Sequence, residues 1–487
     1  MSLARSDAAS PVVVDPRPKF DLSPGLYMQF MEPLGSTEGS IEAAWDFRRD
    51  DWHAELVRVT KELAPPLIRW PGGCFASYYR WREGVGTPGK RPTMVNLCWG
   101  GAETNRVGTH EYMEFCRRTG ARALVCVNFE SDGRRHWARP GHGLGVRSAG
   151  PAEAADWVDY CNDPANAERR KNGARAPFDI PLWQIGNETS YDPHGFDRET
   201  AARRTRVFAK AMRKVDPDIR LIGWGDSGWA RRMCEVNADV LDYVAFHNGI
   251  RPAWKRTPLH FEDWREDPAE TWKHLMSGCR CAETKLRRMR REIAGFDVKL
   301  ALTECHWSLP GRHRSSVQAT WAAGVAAARV LNVHSRHGDL LKIATMADFC
   351  GTSWMNNAVM IKGRRAHLMP VARVMALFRR HVGTKAVTVA KAPRDLDVTA
   401  SRRGKKIFLH VANVSRTRPV RAKFSVSGMK VLSGRAFEIA EDPMLEIHLH
   451  TADLLEPRER KLPTSMVWTF PPASVSAIEF TTRQAGR

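Results

Sequence analysis

Two stretches of the chain end in a carboxylate where a reactive group would be presented. Pro181-Leu182-Trp183-Gln184-Ile185-Gly186-Asn187-Glu188 is an apolar run that closes on a small residue, an amide and an acid, and Val298-Lys299-Leu300-Ala301-Leu302-Thr303-Glu304 has the same shape. Runs of this kind read as buried strands of a parallel sheet, delivering Asn187, Glu188 and Glu304 to its C-terminal edge. Active sites of (β/α)8 barrels are built at that edge, where the loops are free to vary. A lone strand-end acid is more often solvated or ion-paired than reactive. Two of them, in order and on matching strands, are the minimum equipment for hydrolysing a glycosidic bond.

The segments around the two acids have to form the barrel. Leu26 to Glu32 alternates like a strand with Glu32 at its end, Leu67 to Pro71 runs into Gly72-Gly73 and aims Arg69 at the mouth, and Ala123 to Asn128 is a third strand. Thr109 caps a helix that stops near Gly120, with Glu111 in its first turn. A helix over 151–161 precedes the Glu188 strand. Helix 198–215, strand 219–224, a short helix, strand 241–247, helix 270–294, the Glu304 strand, helix 314–335 and strand 340–346 follow. Eight strands alternating with helices predict a (β/α)8 TIM barrel. Beyond about Gly383 the helices give way to short alternating stretches at 407–414, 421–426, 436–439, 445–450 and 475–480, which predict an antiparallel β-sandwich joined by the N-terminal strand Val12 to Val14. The expected domains are therefore residues 1–20 as a strand on the sandwich, 21–382 as the catalytic barrel and 383–487 as the sandwich.

Bulk properties agree with this division, since 487 residues accommodate a barrel and a smaller partner. The first twenty residues hold no apolar stretch of signal-peptide length and no run reaches a membrane span, so a cytoplasmic location without a membrane partner is expected. The ten cysteines are scattered, several in apolar segments, which suits reduced, buried thiols. A net charge of +21 would suit an anionic partner. The basic residues are spread along the chain, however, and no nucleic-acid module occurs, so no nucleic-acid partner is expected. Gly225-Asp226-Ser227-Gly228 spells a serine-protease string but reads as a turn after a strand. Cys279-x-Cys281 lacks a second ligand pair and His247 with His306 lacks a third ligand, so neither a metal nor an organic cofactor is expected. The long loop 129–149 carries Arg134, Arg135, His136, Trp137, Arg139 and His142 and reads as functional. Its glycines do not have the spacing of a phosphate-binding loop. Trp137, Trp254, Trp264 and Trp307 suit sugar stacking or packing equally.

Six motifs occur in a telling order: Arg69-Trp70-Pro71-Gly72-Gly73; Trp81-x-Glu83-Gly84-Val85-Gly86; Glu103-Thr104-Asn105-x-x-Gly108-Thr109-x-Glu111-Tyr112-Met113-Glu114-Phe115; Arg170-Lys171-Asn172-Gly173; Trp183 to Glu188; and Thr303-Glu304. Together they resemble family 51 of the glycoside hydrolases, the retaining α-L-arabinofuranosidases of the (β/α)8 clan, from Leu22 to the sandwich. The resemblance implies an exo-hydrolase that releases terminal α-L-arabinofuranosyl residues from an oligosaccharide or polysaccharide by double displacement, assembled as a trimer or hexamer. It implies Glu188 as acid/base and Glu304 as nucleophile, with carboxyl groups about 5 to 5.5 Å apart. Asn187 would bind the sugar 2-hydroxyl, Arg69 would hold and polarise Glu304, and Glu32 and Trp99 would line the terminal sugar subsite. Cys74, His247, His306 and Asp348 complete the expected substrate-binding set.

The chain also departs from the family pattern. Gln184 stands for Glu and Cys74 for Asn, and Asn248-Gly249-Ile250 follows His247 where a Tyr is usual. Asp348 replaces Gln at the end of the eighth strand, and Cys305-His306 replaces Trp-Asn. Most of these positions lie near the first sugar. The alternatives are a clan relative with changed sugar specificity (another furanosidase, a xylosidase or a β-glucan hydrolase) and a carbohydrate-binding barrel that has lost turnover.

Overall fold

The computed structural model describes residues 9–130, 147–191, 196–251, 263–309 and 312–485. The basic centre of the loop 129–149 and Trp254 lie outside the described residues.

After an N-terminal strand, β1 (Ser10–Asp21), eight parallel strands follow one another around a single sheet. They are β2 (Gln29–Phe30), β3 (Leu67–Trp70), β4 (Arg122–Val127), β5 (Leu182–Ile185), β6 (Arg220–Trp224), β7 (Tyr243–Ile250), β8 (Lys299–Trp307) and β9 (Leu341–Ala344). The ring closes where Met28, beside β2, donates its N–H to the carbonyl of Ala344 in β9 at 2.9 Å. Period-two alternation sorts the side chains into two layers. Met28, Leu67, Leu124, Leu182, Ile222, Ala301 and Ile343 fill the interior. Ile68, Val125, Trp183, Leu300 and Leu302 pack outward into the main core against the helices. Because Trp183 is fully buried there, truncating it to Ala would cost about 3 to 5 kcal/mol.

The longer helices, of eight residues or more, are α1 (Ala54–Leu63), α2 (Thr109–Thr119), α3 (Pro151–Asn162), α4 (Arg198–Val215), α5 (Ala230–Asn237), α6 (Pro268–Glu292), α7 (Trp321–Arg336) and α8 (Pro370–Arg380). Asp197 and Asp267 cap α4 and α6 by accepting the N–H groups of Thr200 and Glu270. At α2 the cap position falls on Gly108 rather than Thr109, and Glu111 reaches back to accept the Gly108 N–H at 2.8 Å. Gly108 is required there, since a Cβ would lie 1.7 Å from the Gly84 carbonyl oxygen. The glycines of two motifs thus meet at one close backbone approach. The aromatic motif residues serve packing as well. Trp70 stacks on Tyr112 and stands edge-on to Trp157, which is stacked on Trp81 and edge-on to Trp183.

The strand expected over Leu26 to Glu32 is reduced to Gln29–Phe30, because Pro24 opens a 3-10 turn capped by Ser23. Asp348 lies beyond β9, at the start of β10 (Asp348–Gly351). With β11 (Asn357–Lys362) and β12 (Arg365–Leu368) it forms a small sheet that sequence reading missed.

The strands after α8 are β13 (Lys385–Lys391), β14 (Leu396–Arg403), β15 (Lys406–Asn413), β16 (Val420–Val426), β17 (Met429–Ala440), β18 (Arg458–Lys461), β19 (Val467–Phe470) and β20 (Ser474–Gln484). They make one nine-stranded sheet in the order β18-β17-β20-β15-β14-β13-β1-β16-β19, which a further β16–β17 pairing folds on itself around Val12, Val14, Ile407, Leu409, Phe424 and Phe480. The N-terminal strand is integral to it, antiparallel to β13 and parallel to β16. Residues 445–450 form no strand. Their alternation serves docking on the barrel, with the Leu445 carbonyl accepting from Trp321 N–H at 3.0 Å and the Ile447 N–H donating to Ala319 at 2.8 Å. All ten cysteines are free thiols. Among the described residues no helix is long and apolar enough to cross a membrane.

Candidate active site

The two acids reach the barrel mouth by different local devices. In β5 the chain turns at Gly186 (φ +74°) and then holds Glu188 itself at φ +50°. A left-handed conformation is uncommon for a non-glycine residue and costs on the order of 1 to 3 kcal/mol, which marks the position as one the surroundings enforce. In β8 simple alternation would put Glu304 on the outer face with Leu300 and Leu302. The pairing with β7 slips by one residue between Phe246↔Leu302 and His247↔Glu304, so Thr303 is extra. This bulge swings Glu304, and His306 two residues on, toward the mouth.

A hydrogen-bonded network joins them. Arg69, fully buried on β3, donates from one terminal nitrogen to Glu304 Oε1 at 2.9 Å and from the other to Asn187 Oδ1 at 2.6 Å. The second bond fixes the Asn187 amide, leaving its NH2 directed away from Arg69 with no partner among the described residues. His247 Nδ1 lies 2.8 Å from Glu188 Oε1 and 3.5 Å from Glu304 Oε2, while its Nε2 is 3.0 Å from Thr303 Oγ1. Glu188, His247 and Glu304 each present a donor atom within 4.8 Å of the others. Such a cluster has the dimensions of a cation site. Its groups already hold one another and Arg69, so the arrangement is accounted for by hydrogen bonding and charge alone.

The other expected residues surround this pair. Glu32 Oε1 accepts the Phe75 N–H and Trp99 Nε1–H, each at 2.9 Å, and Cys74 Sγ lies 3.6 Å from Glu188 Oε2. A Cβ on Gly73 would fall 2.6 Å from Glu32 and 2.9 Å from Glu304, so a bare backbone lets the two carboxyls flank this turn. Burial and then the charge of Glu304 push the Glu32 carboxyl well above its usual range. Burial also raises Glu304, with Glu188 adding to the rise, while His247 and Arg69 hold it down. His306 Nδ1 and Asp348 Oδ1 are 3.0 Å apart. All ten expected residues are thus linked around one mouth. Trp264 and Trp307 are buried in the core.

Sequence reading missed the residues that hold this constellation from behind. Asp226, from the protease-like string, accepts the His247 N–H at 3.2 Å, the Tyr191 hydroxyl at 2.6 Å and Lys285 Nζ of α6 at 2.5 Å. Its position after a barrel strand was the available signal. Thr303 was hidden by the bulge. A second support lies under Trp99, where Asn96 Oδ1 accepts the Trp99 N–H at 2.9 Å and Asn96 Nδ2 donates to Glu103 Oε1 at 2.7 Å, beside the Gly35 N–H at 3.0 Å.

Burial, with a hydrogen bond to Glu42, raises the Glu103 carboxyl to about 9. The folded protein then holds a proton that the unfolded chain releases near 4.5, so this group's contribution to stability falls as pH climbs from about 4.5 to about 9. Glu103→Gln keeps the acceptor and supplies a permanent donor to Glu42. Its melting temperature relative to the wild type is expected to rise between about pH 5 and pH 8.5. A pH-independent difference would rule out this proton.

Comparison with known proteins agrees with this geometry. Residues 59–266 match the model of the alpha-L-arabinofuranosidase 1 domain. That range holds Arg69, Cys74, Trp99, Asn187, Glu188 and His247, and leaves Glu32, Glu304, His306 and Asp348 outside it. The chain is 32% identical over 321 residues to a probable alpha-L-arabinofuranosidase C of Aspergillus niger, covering 54% of this chain and 60% of that protein. It is also 32% identical over 240 residues to an intracellular exo-alpha-(1->5)-L-arabinofuranosidase of Halalkalibacterium halodurans, covering 46% of this chain and 44% of that one. The matches therefore span about half the length of these relatives. In fold, a family 51 alpha-L-arabinofuranosidase of Bifidobacterium longum superposes with a TM-score of 0.80 over 98% of this chain and all of that one, at 20% identity. Over the matched residues the chain is similar to alpha-L-arabinofuranosidases, and its fold is that of the family 51 structure.

Proposed function

We propose that the protein is a retaining exo-glycosidase that removes terminal α-L-arabinofuranosyl residues from an oligosaccharide or polysaccharide. The observation that carries this reading is the spacing of Glu188 and Glu304, whose carboxylate oxygens approach within 4.8 Å. So close an approach suits the spacing of about 5 to 5.5 Å used for covalent catalysis better than the about 6.5 to 9.5 Å of an inverting pair.

Arg69 favours the ionised form of Glu304, whose free oxygen attacks the anomeric carbon as Glu188 protonates the departing glycosidic oxygen. In the second half, Glu188 takes a proton from water as that water displaces Glu304. The unpartnered NH2 of Asn187 is suited to the 2-hydroxyl, a bond that strengthens as the oxocarbenium-like transition state forms. Oriented charges in a dry site do this work without reorganising.

A panel of aryl glycosides (α-L-arabinofuranoside, β-D-galactofuranoside, β-D-xyloside and β-D-glucoside) tests the reading. Release from the arabinofuranoside alone is expected. Release from another member would keep the mechanism and move the specificity, a second reading favoured by the ion pair His306–Asp348 in the pocket wall. Silence across the panel would overturn hydrolysis in favour of a binding barrel.

A further inference from the structure

Beyond its bulge, β8 turns two side chains to the same face, Glu304 and His306. His306 Nδ1 faces Asp348 Oδ1 at 3.0 Å, and the other Asp348 oxygen accepts from Asn356 Nδ2 at 2.7 Å. The imidazole stands edge-on to His313, which lies against Trp354, which in turn meets Trp99. Trp99 then bonds Glu32. His306 is therefore one panel of a continuous wall running from Glu304 round to Glu32. Its side chain keeps 21% of its surface accessible, and its Nε2 has no partner among the described residues.

We propose that His306 is a specificity-determining residue of this pocket, whose Nε2–H donates to a hydroxyl of the terminal sugar other than the one assigned to Asn187, while Asp348 is the positioning residue that fixes the ring through Nδ1. The inference rests on the hydrolase reading above and adds to it a recognised group. Orientation follows from geometry. With Nδ1 turned to a carboxylate that is itself held by Asn356, the ring has one way to face, and the nitrogen left over points to the accessible side.

Charge follows from the neighbours. The titratable groups facing the ring are Asp348 from β10, Glu304 on its own strand, Glu188 at the end of β5 and His313 from the turn after β8. Burial opposes the imidazolium, yet Asp348, with Glu304 and Glu188 behind it, outweighs burial and raises the His306 pKa. Burial likewise opposes charge on Asp348, and His306 and His313 hold that carboxyl below its usual range. The donor thus keeps its charge to higher pH than an ordinary imidazole, and a charged donor bonds about twice as strongly as a neutral one. Sugar binding should therefore weaken as pH rises through the His306 pKa, with the weakening seen in KM rather than kcat.

The test compares wild type, His306→Gln and Asp348→Asn on the aryl α-L-arabinofuranoside and its 3-deoxy and 5-deoxy forms. On the parent substrate His306→Gln is expected to raise KM by about tenfold, with kcat nearly unchanged. On one deoxy form, wild type and His306→Gln should share the same KM, because the hydroxyl they would contest is gone. The alkaline rise in KM should vanish in His306→Gln and move to lower pH in Asp348→Asn. An imidazole NMR resonance absent from His306→Gln should titrate above about 6.5 in the wild type. An unchanged KM, or an equal loss on the parent and both deoxy forms, would overturn the proposal. If no glycoside is cleaved, the hydrolase reading fails by itself. Calorimetric binding of free arabinose and its deoxy forms then decides the His306 assignment by the same comparison.

Discussion

Glu304→Ala is expected to abolish hydrolysis of every substrate, lowering kcat on the order of 10³-fold or more, and added azide is expected to restore turnover with a glycosyl azide of inverted configuration as the product. The size follows from the role proposed for Glu304, since removing a covalent nucleophile leaves only binding and electrostatic stabilisation behind. The rescue follows from the geometry. Deleting the carboxylate opens space between Gly73, His247 and Arg69, and a small anion entering there meets the same guanidinium that Glu304 meets at 2.9 Å. Arg69 keeps its bond to Asn187, so the variant should fold, with a modest loss of about 1 to 3 kcal/mol from the buried charge left short of a partner. A folded Glu304→Ala protein with wild-type activity would remove the nucleophile from this scheme. An inactive one that azide leaves silent would make Glu304 a structural partner of Arg69.

How much of this was legible in the sequence depended on whether a residue announced itself locally. The run that ends in Asn187-Glu188 and the run that ends in Glu304 are each strand and site in one, so both acids could be read directly, as could Arg69 before its glycine pair. The bulge at Thr303 could not, because it arises from the register between β7 and β8, and a strict period of two puts Glu304 on the wrong face. Glu32 was placed at the mouth although its strand is only two residues long, since strand and 3-10 turn deliver it to the same edge.

Supports that come from far along the chain were invisible. Asp226 depends on Lys285 across 59 residues and on Tyr191 across 35. Glu103 owes its high pKa to burial beside Glu42, which no spacing reveals. The error at 445–450 is the converse case. Its alternation is real, but it faces the first turn of α7 instead of a neighbouring strand. Local pattern records that a face is buried without saying against what.

Glu188→Ala is expected to separate substrates by leaving group. Arabinofuranosides with an activated phenol should keep near-normal rates of bond cleavage, because a good leaving group departs as an anion. Sugar leaving groups, which need a proton, should slow by about 10²- to 10⁴-fold, the usual contribution of a positioned acid. A plot of log kcat/KM against leaving-group pKa should therefore be shallow for the wild type and steep for the variant. With activated substrates the second half-reaction should become limiting, since the same residue activates water, and azide should speed it by attacking without needing a base. The structure gives a reason to expect a clean effect. Glu188 sits at the end of β5 with His247 on one oxygen and Cys74 near the other, and both of those contacts are made by groups anchored elsewhere, His247 through Thr303 and Asp226. The left-handed conformation at Glu188 is imposed by the surrounding chain, and alanine carries the same Cβ, so the substitution leaves the backbone and its cost nearly as they were. If activated and unactivated substrates fell by the same factor, Glu188 would be holding His247 in place rather than moving a proton, and the acid would have to be sought in another group at the mouth.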